Sequence, residues 1–121
     1  MKNLVKSSSL LMAAIILSLG LSEIVVRQLF HPVDYLLART INDPILGHRI
    51  LEDTGGHDDW GFRNYGVPSG AGIVAIGDSQ TYGVSATFQE SWPAHLSRLK
   101  NTQVYNLALG GYGPLQYLHL L

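Results

Sequence analysis

The distribution of apolar and charged residues separates an N-terminal segment from the rest of the chain. No charged residue occurs within Leu10–Leu21, and only Glu23 and Arg27 interrupt the apolar pattern that follows. Residues 9–30 therefore reach the length of about 20 mostly apolar residues that a membrane-spanning helix requires. Residues 1–30 are predicted to form an N-terminal signal-anchor or transmembrane helix.

Two alternatives fit the same apolar segment. Ser18 and Gly20 are small residues of the kind that precede a signal-peptidase site, so a cleaved signal peptide and a secreted product are one alternative. A buried helix of a soluble domain is the other. Lys2 and Lys6 precede the apolar segment, and this charge bias favours a cytoplasmic N-terminus with the remaining chain on the other side of the membrane.

Residues 31–69 show no sustained periodicity and are predicted to be an irregular connecting segment. Proline, glycine and asparagine clusters that favour turns occur throughout it. Three short pieces have a local pattern: a helical extension over 33–40, and extended pieces over 47–51 and 60–65.

The pattern changes again over residues 70–121. "AGIVAI" and "QVYNLAL" are apolar and rich in β-branched or aromatic residues, which predicts two strands. "ESWPAHLSRLK" lies between them and "PLQYLHLL" follows them, and both are predicted to be helices. The order strand, helix, strand, helix is typical of a parallel sheet with right-handed crossovers.

The first of these helices carries recognisable start signals. Ser91 is a candidate N-cap, and Pro93 lies in the first turn, where a missing N–H costs little. Trp92, Leu96 and Leu99 recur at helical spacing and predict a packed apolar face, with His95 packed beside it.

A strand as apolar as "AGIVAI" is expected to be covered on both faces, as in parallel sheets. The loops Gly77–Gly83 and Gly110–Gly113 each follow a predicted strand. Because ligands bind beyond the carboxyl ends of such strands, we expect the two loops to lie side by side at one edge of the sheet.

Composition narrows the possible functions. At 121 residues the chain has room for one small domain, and a net charge of -1 without a basic stripe argues against a nucleic-acid partner. The absence of cysteine excludes a disulfide framework and a thiolate metal site. We expect no cofactor and no metal.

Ser79 is the candidate for chemistry. It follows the first predicted strand in "GDSQT", so its hydroxyl could act as a nucleophile, or it could be an ordinary turn serine. Thr81 stands where the α/β-hydrolase motif G-x-S-x-G needs glycine, and the loop lacks the dinucleotide motif G-x-G-x-x-G.

Two segments together resemble a known family. "VAIGDSQTYGV" and "VYNLALGGYGPLQ" are similar to the first two conserved blocks of the SGNH (GDSL-type) hydrolases. Upstream, "NDPILGHRI" and "DDWGFRNYG" resemble segments that precede the serine block in membrane-anchored bacterial members. The resemblance covers the chain from about Asn42 to Leu121.

The resemblance implies a flavodoxin-like three-layer α/β/α sandwich, of which only the first βαβα part is present, and ester hydrolysis or acyl transfer. Ser79 would be the nucleophile, and its N–H an oxyanion donor. Gly111, with Gly110 as second choice, would be the oxyanion glycine. Gly77, Asp78 and Asn106 would support the two loops.

The chain departs from the family pattern in two places. It has no G-x-N-D block, and none of its histidines follows an aspartate at the D-x-x-H spacing that supplies the family's base. "HDDW", beginning at His57, has the composition of an upstream D-x-H element in the wrong order. We expect His57 to lie in a solvated loop instead of a metal site.

The main hypothesis is therefore an N-terminal fragment of a membrane-anchored SGNH-type esterase or acyltransferase that lacks its base. Its substrate would be an ester, or an acylated carbohydrate or lipid, and residues 9–30 would hold it in the bacterial inner membrane facing the periplasm or exterior. A non-catalytic, membrane-anchored binding or assembly protein is the alternative. A complete small enzyme using His57 or His119 as base is a third possibility.

Overall fold

The structure is a computed structural model that describes residues 2–70 and 72–121. It contains two compact units, which divide between Phe30 and His31. The first unit is helix α1, Lys2–Leu29. Its segment Lys6–Leu29 has 24 residues, a mean hydropathy of 2.2 and no buried residue in its most apolar window. At about 1.5 Å per residue this segment exceeds the roughly 30 Å of a bilayer core, so α1 is long and apolar enough to cross a membrane.

The second unit begins with a 3-10 turn, Pro32–Asp34, followed by a β-hairpin. Strands β1, Thr40–Asp43, and β2, Gly47–Ile50, pair antiparallel. Strand β2 confirms the extended piece that the sequence predicted from residue 47. The Asp43 carboxylate closes the hairpin by accepting hydrogen bonds from the backbone N–H groups of Ile45 and Leu46 at 2.9 and 2.8 Å.

Two local predictions for residues 31–69 are wrong. No helix forms over 33–40, because the backbone leaves the helical region at Tyr35 (φ -136°) and then extends to pair in the hairpin. No strand forms over 60–65. That segment instead turns tightly at Gly61, whose φ is +79°.

The second half of the unit contains the predicted strands and helices in their predicted order, with one further short helix inside the predicted loop of residues 77–83. Strands β3, Ile73–Ala75, and β4, Val104–Asn106, pair in parallel, with Ile73 opposite Val104. Helices α2, Ser79–Tyr82, and α3, Trp92–Lys100, lie between the strands in sequence. Helix α4, Pro114–Leu120, follows β4. Ala71, where we predicted the first strand to begin, lies outside the described residues.

The core joins the connecting segment to the parallel strands. Its buried side chains come from the hairpin, the turn after it, strand β4 and the loop that follows: Ile50, Phe62, Tyr105, Leu107, Leu109 and Tyr112. Residues 31–69 therefore pack into the same core as residues 104–112. The irregular segment provides one side of the sheet's packing.

Strand β3 is less covered than β4, whose three residues are all buried in the part of the chain that the structure describes. Ala75 is buried, but its neighbour Val74 is 45% exposed, so β3 is not covered on both faces as expected. Helix α3 exposes Trp92 and Leu99 in place of the predicted packed apolar face, and only Pro93 is buried in it. The structure is thus a mixed α/β fold with an apolar N-terminal helix and a two-stranded parallel sheet.

Candidate functional site

Ser79 lies at the carboxyl end of β3, where the strand passes into α2. The preceding Asp78 is the N-cap of this four-residue helix, and its carboxylate accepts a hydrogen bond from the N–H of Gln80 at 2.9 Å. This Asx-type turn directs the chain from the strand into the helix. Ser79 is half-buried, and its hydroxyl makes no hydrogen bond to any of residues 2–70 or 72–121.

Gly77 is required for the close packing of this turn. A β-carbon at this position would collide with the side chain of Thr81, one turn further along the chain. The absence of a side chain at Gly77 therefore lets the strand end pack against the helix that carries Ser79.

The second glycine loop lies beside the first, as the sequence predicted. A β-carbon built on Gly110 would be 3.8 Å from the Ser79 β-carbon. The next residue, Gly111, has a φ of +85°, a left-handed conformation that favours glycine. The backbone N–H groups of Ser79 and Gly111 have no acceptor within the described part of the chain. Two unpaired donors thus belong to adjacent loops.

Asn106, the last residue of β4, connects the two loops. Its side-chain amide donates to the carbonyl of Thr81 in α2 at 3.0 Å, and its side-chain oxygen accepts from the N–H of Ala108 at 3.0 Å. The backbone of Asn106 is paired with the side chain of Asn64, in both directions, at 2.8 and 3.1 Å. Every polar group of this buried residue is used, which fixes the end of β4 against α2.

The buried carboxylate of Asp58 holds the side chain of Asn64 in place. Asp58 accepts the N–H groups of Trp60 and Phe62 with one oxygen, at 3.0 and 2.9 Å. Its other oxygen accepts the Asn64 amide at 3.0 Å and the Tyr105 hydroxyl at 2.7 Å. Burial, and secondly the neighbouring Asp58 carboxylate, raise the pKa of Tyr105, so that hydroxyl remains a donor. Four donors therefore compensate for the burial of Asp58.

Arg63 holds the end of α2 and the turn that follows it. Its guanidinium donates to the carbonyls of Tyr82, Gly83 and Ala86 and, at 2.8 Å, to the carboxylate of Asp34. Arg63 is thus a partner of backbone carbonyls and of one acidic side chain. Arg63 is almost fully buried, so its positive charge needs a partner within the protein. The carboxylate of Asp34 neutralises it.

His57 is buried, so the expected solvated loop is wrong. The carbonyl of Thr54 lies 3.0 Å from Nδ1, which therefore carries the proton, and Nε2 accepts from the Tyr82 hydroxyl at 2.8 Å. Burial lowers the pKa of His57 and raises that of Tyr82, which favours this neutral pair. Both ring nitrogens of His57 therefore take part in hydrogen bonds. In the described ranges, no group of three or more possible ligands could hold a metal ion.

The remaining predicted histidine positions do not contact Ser79. His95 is exposed and pairs with Glu90 at 3.3 Å, so its expected packing is wrong. His119 is exposed on the last turn of α4. Ser91 is at the N-cap of α3, but its hydroxyl donates to the Phe88 carbonyl and makes no capping bond. No hydrogen bond joins a histidine to the Ser79 hydroxyl among residues 2–70 and 72–121.

Sequence reasoning assigned no role to His48, which the structure places at the second loop. Its Nε2 lies 2.9 Å from the carbonyl oxygen of Gly110. The residue comes from β2, far from the loop in sequence, and no local motif indicates the contact.

An open depression of about 430 Å³ adjoins Ser79. It is lined by residues from α2 and the turn that follows: Ser79, Gln80, Gly83, Val84, Ser85 and Ala86. A separate depression of about 170 Å³ lies between α3, β4 and the segment after Arg63, and it does not include Ser79. Ser79 is therefore accessible from the α2 side.

Comparison with protein-family models, with curated proteins and with solved structures finds no match for this chain, so its site is interpreted from its own residues.

Proposed function

We propose that the chain carries the nucleophile part of a membrane-anchored serine esterase or acyltransferase of SGNH type. The observation that supports it is the adjacency of Gly110 to Ser79, together with the unpaired N–H groups of Ser79 and Gly111. The two-stranded parallel sheet would be the start of a flavodoxin-like α/β/α sandwich. The substrate would be an ester, such as an acylated carbohydrate or lipid.

In the proposed reaction the Ser79 hydroxyl oxygen attacks the carbonyl carbon of the ester. The carbon–oxygen double bond opens to an oxyanion, which accepts hydrogen bonds from the N–H groups of Ser79 and Gly111. The alcohol then leaves with the proton that the hydroxyl lost, and water or a second acceptor later releases the acyl group. A base must carry that proton, and the described residues offer none to Ser79.

Without that base the chain should turn over esters slowly. Loss of the base or the nucleophile of a serine triad lowers turnover by roughly 10⁶-fold. We therefore propose that the chain alone is close to inactive as a hydrolase.

The proposed location follows from helix α1. Its span Lys6–Leu29 would anchor the protein in the bacterial inner membrane, with the second unit facing the periplasm or exterior. Cleavage of the same helix as a signal sequence would release the second unit, and the molecular mass of the mature protein distinguishes the two.

Covalent labelling of the full-length chain in detergent micelles tests the function. A fluorophosphonate forms a phosphorus–oxygen bond with a reactive serine, fluoride leaves, and the hydroxyl proton passes to water. We expect slow labelling over hours at Ser79, located by mass spectrometry, and none in Ser79→Ala. Ser85→Ala is the matched control, because Ser85 lines the same depression. Labelling spread equally over other serines would overturn the proposal.

A non-catalytic binding or assembly protein is the second candidate. The exposure of Val74 and of Trp92 and Leu99 on α3 favours it, because apolar side chains in this number beside a sheet are usually covered. Preferential labelling of Ser79 would contradict this candidate, since a binding surface has no need of a reactive serine.

A further inference from the structure

The β1–β2 hairpin contacts the second glycine loop through His48. A carbonyl oxygen can only accept a hydrogen bond, so the 2.9 Å contact with Gly110 places the proton on His48 Nε2. The imidazole ring therefore acts as a donor to the loop that borders Ser79. This N–H is present in both the neutral ring of that tautomer and the charged ring.

The hairpin is fixed to the loop at further points. The Tyr112 hydroxyl donates to the backbone carbonyl of His48 at 2.9 Å, and the two rings lie 5.4 Å apart. The side chain of Gln116 donates to the carbonyl of Leu46 at 3.3 Å. These contacts hold His48 in place from the loop side, so its ring is a fixed donor instead of a mobile one.

The hydrogen bond to Gly110 also determines the direction of the next N–H group. All peptide bonds in the described residues are trans. In a trans peptide the carbonyl of one residue and the N–H of the next point in opposite directions. Because His48 holds the Gly110 carbonyl on the hairpin side, the Gly111 N–H is directed away from the hairpin. A hydrogen bond to the carbonyl also polarises the peptide and strengthens its N–H as a donor.

We propose that His48 is a positioning residue for the oxyanion donor of Gly111. It holds the Gly110–Gly111 peptide so that the N–H faces the carbonyl oxygen of an ester bound at Ser79. This inference rests on the proposed function for its catalytic meaning, whereas the orientation of the peptide can be tested separately.

Two substitutions distinguish the effect of the His48 N–H donor from the effect of its aromatic ring. His48→Gln keeps a side-chain N–H but loses the ring, and His48→Phe keeps a ring beside Tyr112 but loses the donor. His95→Ala is the control, because His95 is exposed and distant in the sequence from both loops. All are made in the full-length chain in micelles. The rate of fluorophosphonate labelling at Ser79 and the amide NMR resonance of Gly111 are measured for each.

We expect His48→Phe to shift the Gly111 amide resonance and to slow labelling by about 10- to 100-fold, which is less than the roughly 10²–10³-fold cost of losing one oxyanion donor because the Gly111 N–H is misdirected but still present. His48→Gln should stay within a few-fold of the original rate and restore the resonance. His95→Ala should change neither. An unshifted Gly111 resonance in His48→Phe would overturn the inference. So would an original labelling rate that His48→Phe keeps and His48→Gln loses.

The two proposals fail in different ways. If the original chain is not labelled preferentially at Ser79 but the Gly111 resonance shifts in His48→Phe and not in His48→Gln, the proposed function is wrong. The orientation of the peptide by His48 is then still supported. If Ser79 is labelled equally fast in both variants, the function stands and the role of His48 falls. Loss of folding in both variants also contradicts a positioning role, because the donor-retaining variant should fold.

Discussion

The side-chain amide of Asn106 donates a hydrogen bond to the backbone carbonyl of Thr81 at 3.0 Å, and this bond joins the end of one strand to the helix that follows the other. The two residues come from opposite sides of helix α3 in the sequence. Their contact explains how the two glycine loops are held side by side.

Replacing Asn106 with alanine should destabilise the second unit. The change leaves the Thr81 carbonyl and the Ala108 N–H without their partner in a buried position, which costs about 1–3 kcal/mol. Urea unfolding of the full-length chain in micelles, followed by tryptophan fluorescence, measures the free energy of unfolding. Asn42→Ala, at an exposed position on β1, is the control and should stay within about 0.5 kcal/mol of the original. Equal effects of the two substitutions would contradict the role of Asn106.

Stability should fall as the pH is lowered through the mildly acidic range. Burial lowers the pKa of His57 below its ordinary 6.5, so the unfolded chain binds a proton at a higher pH than the folded one. The stabilisation is therefore complete above about pH 6.5 and is lost progressively as the pH falls toward the lower folded pKa. His31, whose pKa is also lowered by burial, contributes in the same direction.

The pH dependence can be assigned by substitution. The free energy of unfolding is measured between pH 5 and pH 8 for the original chain, His57→Gln and His119→Gln. We expect His57→Gln to flatten the slope and His119→Gln, at an exposed position, to leave it unchanged. A slope that is the same in all three proteins would show that His57 does not titrate differently on unfolding.

The two neighbouring glycines of the second loop should respond differently to alanine. Gly111→Ala forces a left-handed backbone on alanine, at a cost of roughly 1–2 kcal/mol, and brings its β-carbon to 3.3 Å from the His48 ring. Gly110→Ala meets only an ordinary contact of 3.8 Å with Ser79. Thermal unfolding should therefore show a lower midpoint for Gly111→Ala alone. Equal midpoints for the pair would contradict this local geometry.

The segment of residues 70–121 should not fold when it is produced separately. Ile50 and Phe62 pack in the same core as Tyr105 and Leu107, and a chain that starts at residue 70 lacks the first two. The remaining apolar surface should promote aggregation, because a core this small is marginal. Circular dichroism during heating provides the measurement. A cooperative transition from the soluble segment would show the prediction to be wrong.

The sequence predicted elements whose cause is local. The strands at Ile73 and Val104 and the helices α3 and α4 could be predicted because their residue patterns are typical of each element, whereas the short helix α2 was predicted to be a loop. The adjacency of the two glycine loops followed from parallel strand order. Each strand and helix thus depends mainly on the residues within and beside it, and the loop adjacency depends on the order of the strands.

The buried polar network could not be predicted in this way. Asp58 and Arg63 read as ordinary charged residues of an irregular loop, and their partners lie far away in the sequence. The helix predicted over residues 33–40 failed for a related reason. The carboxylate of Asp34 is bound by Arg63 and by the N–H of Phe88, which fixes the chain there in a non-helical path.

The four hydrogen-bond acceptors of Arg63 have a consequence for how the candidate site forms. Asp34 precedes Arg63 by 29 residues, and Ala86 follows it by 23. The loop after α2 is therefore held by contacts between three separate stretches of chain, and loop-closure entropy opposes the formation of each. The position of Ser79 thus depends on contacts that extend across the second unit, and a substitution near Asp34 can disturb that position without being near Ser79 in sequence.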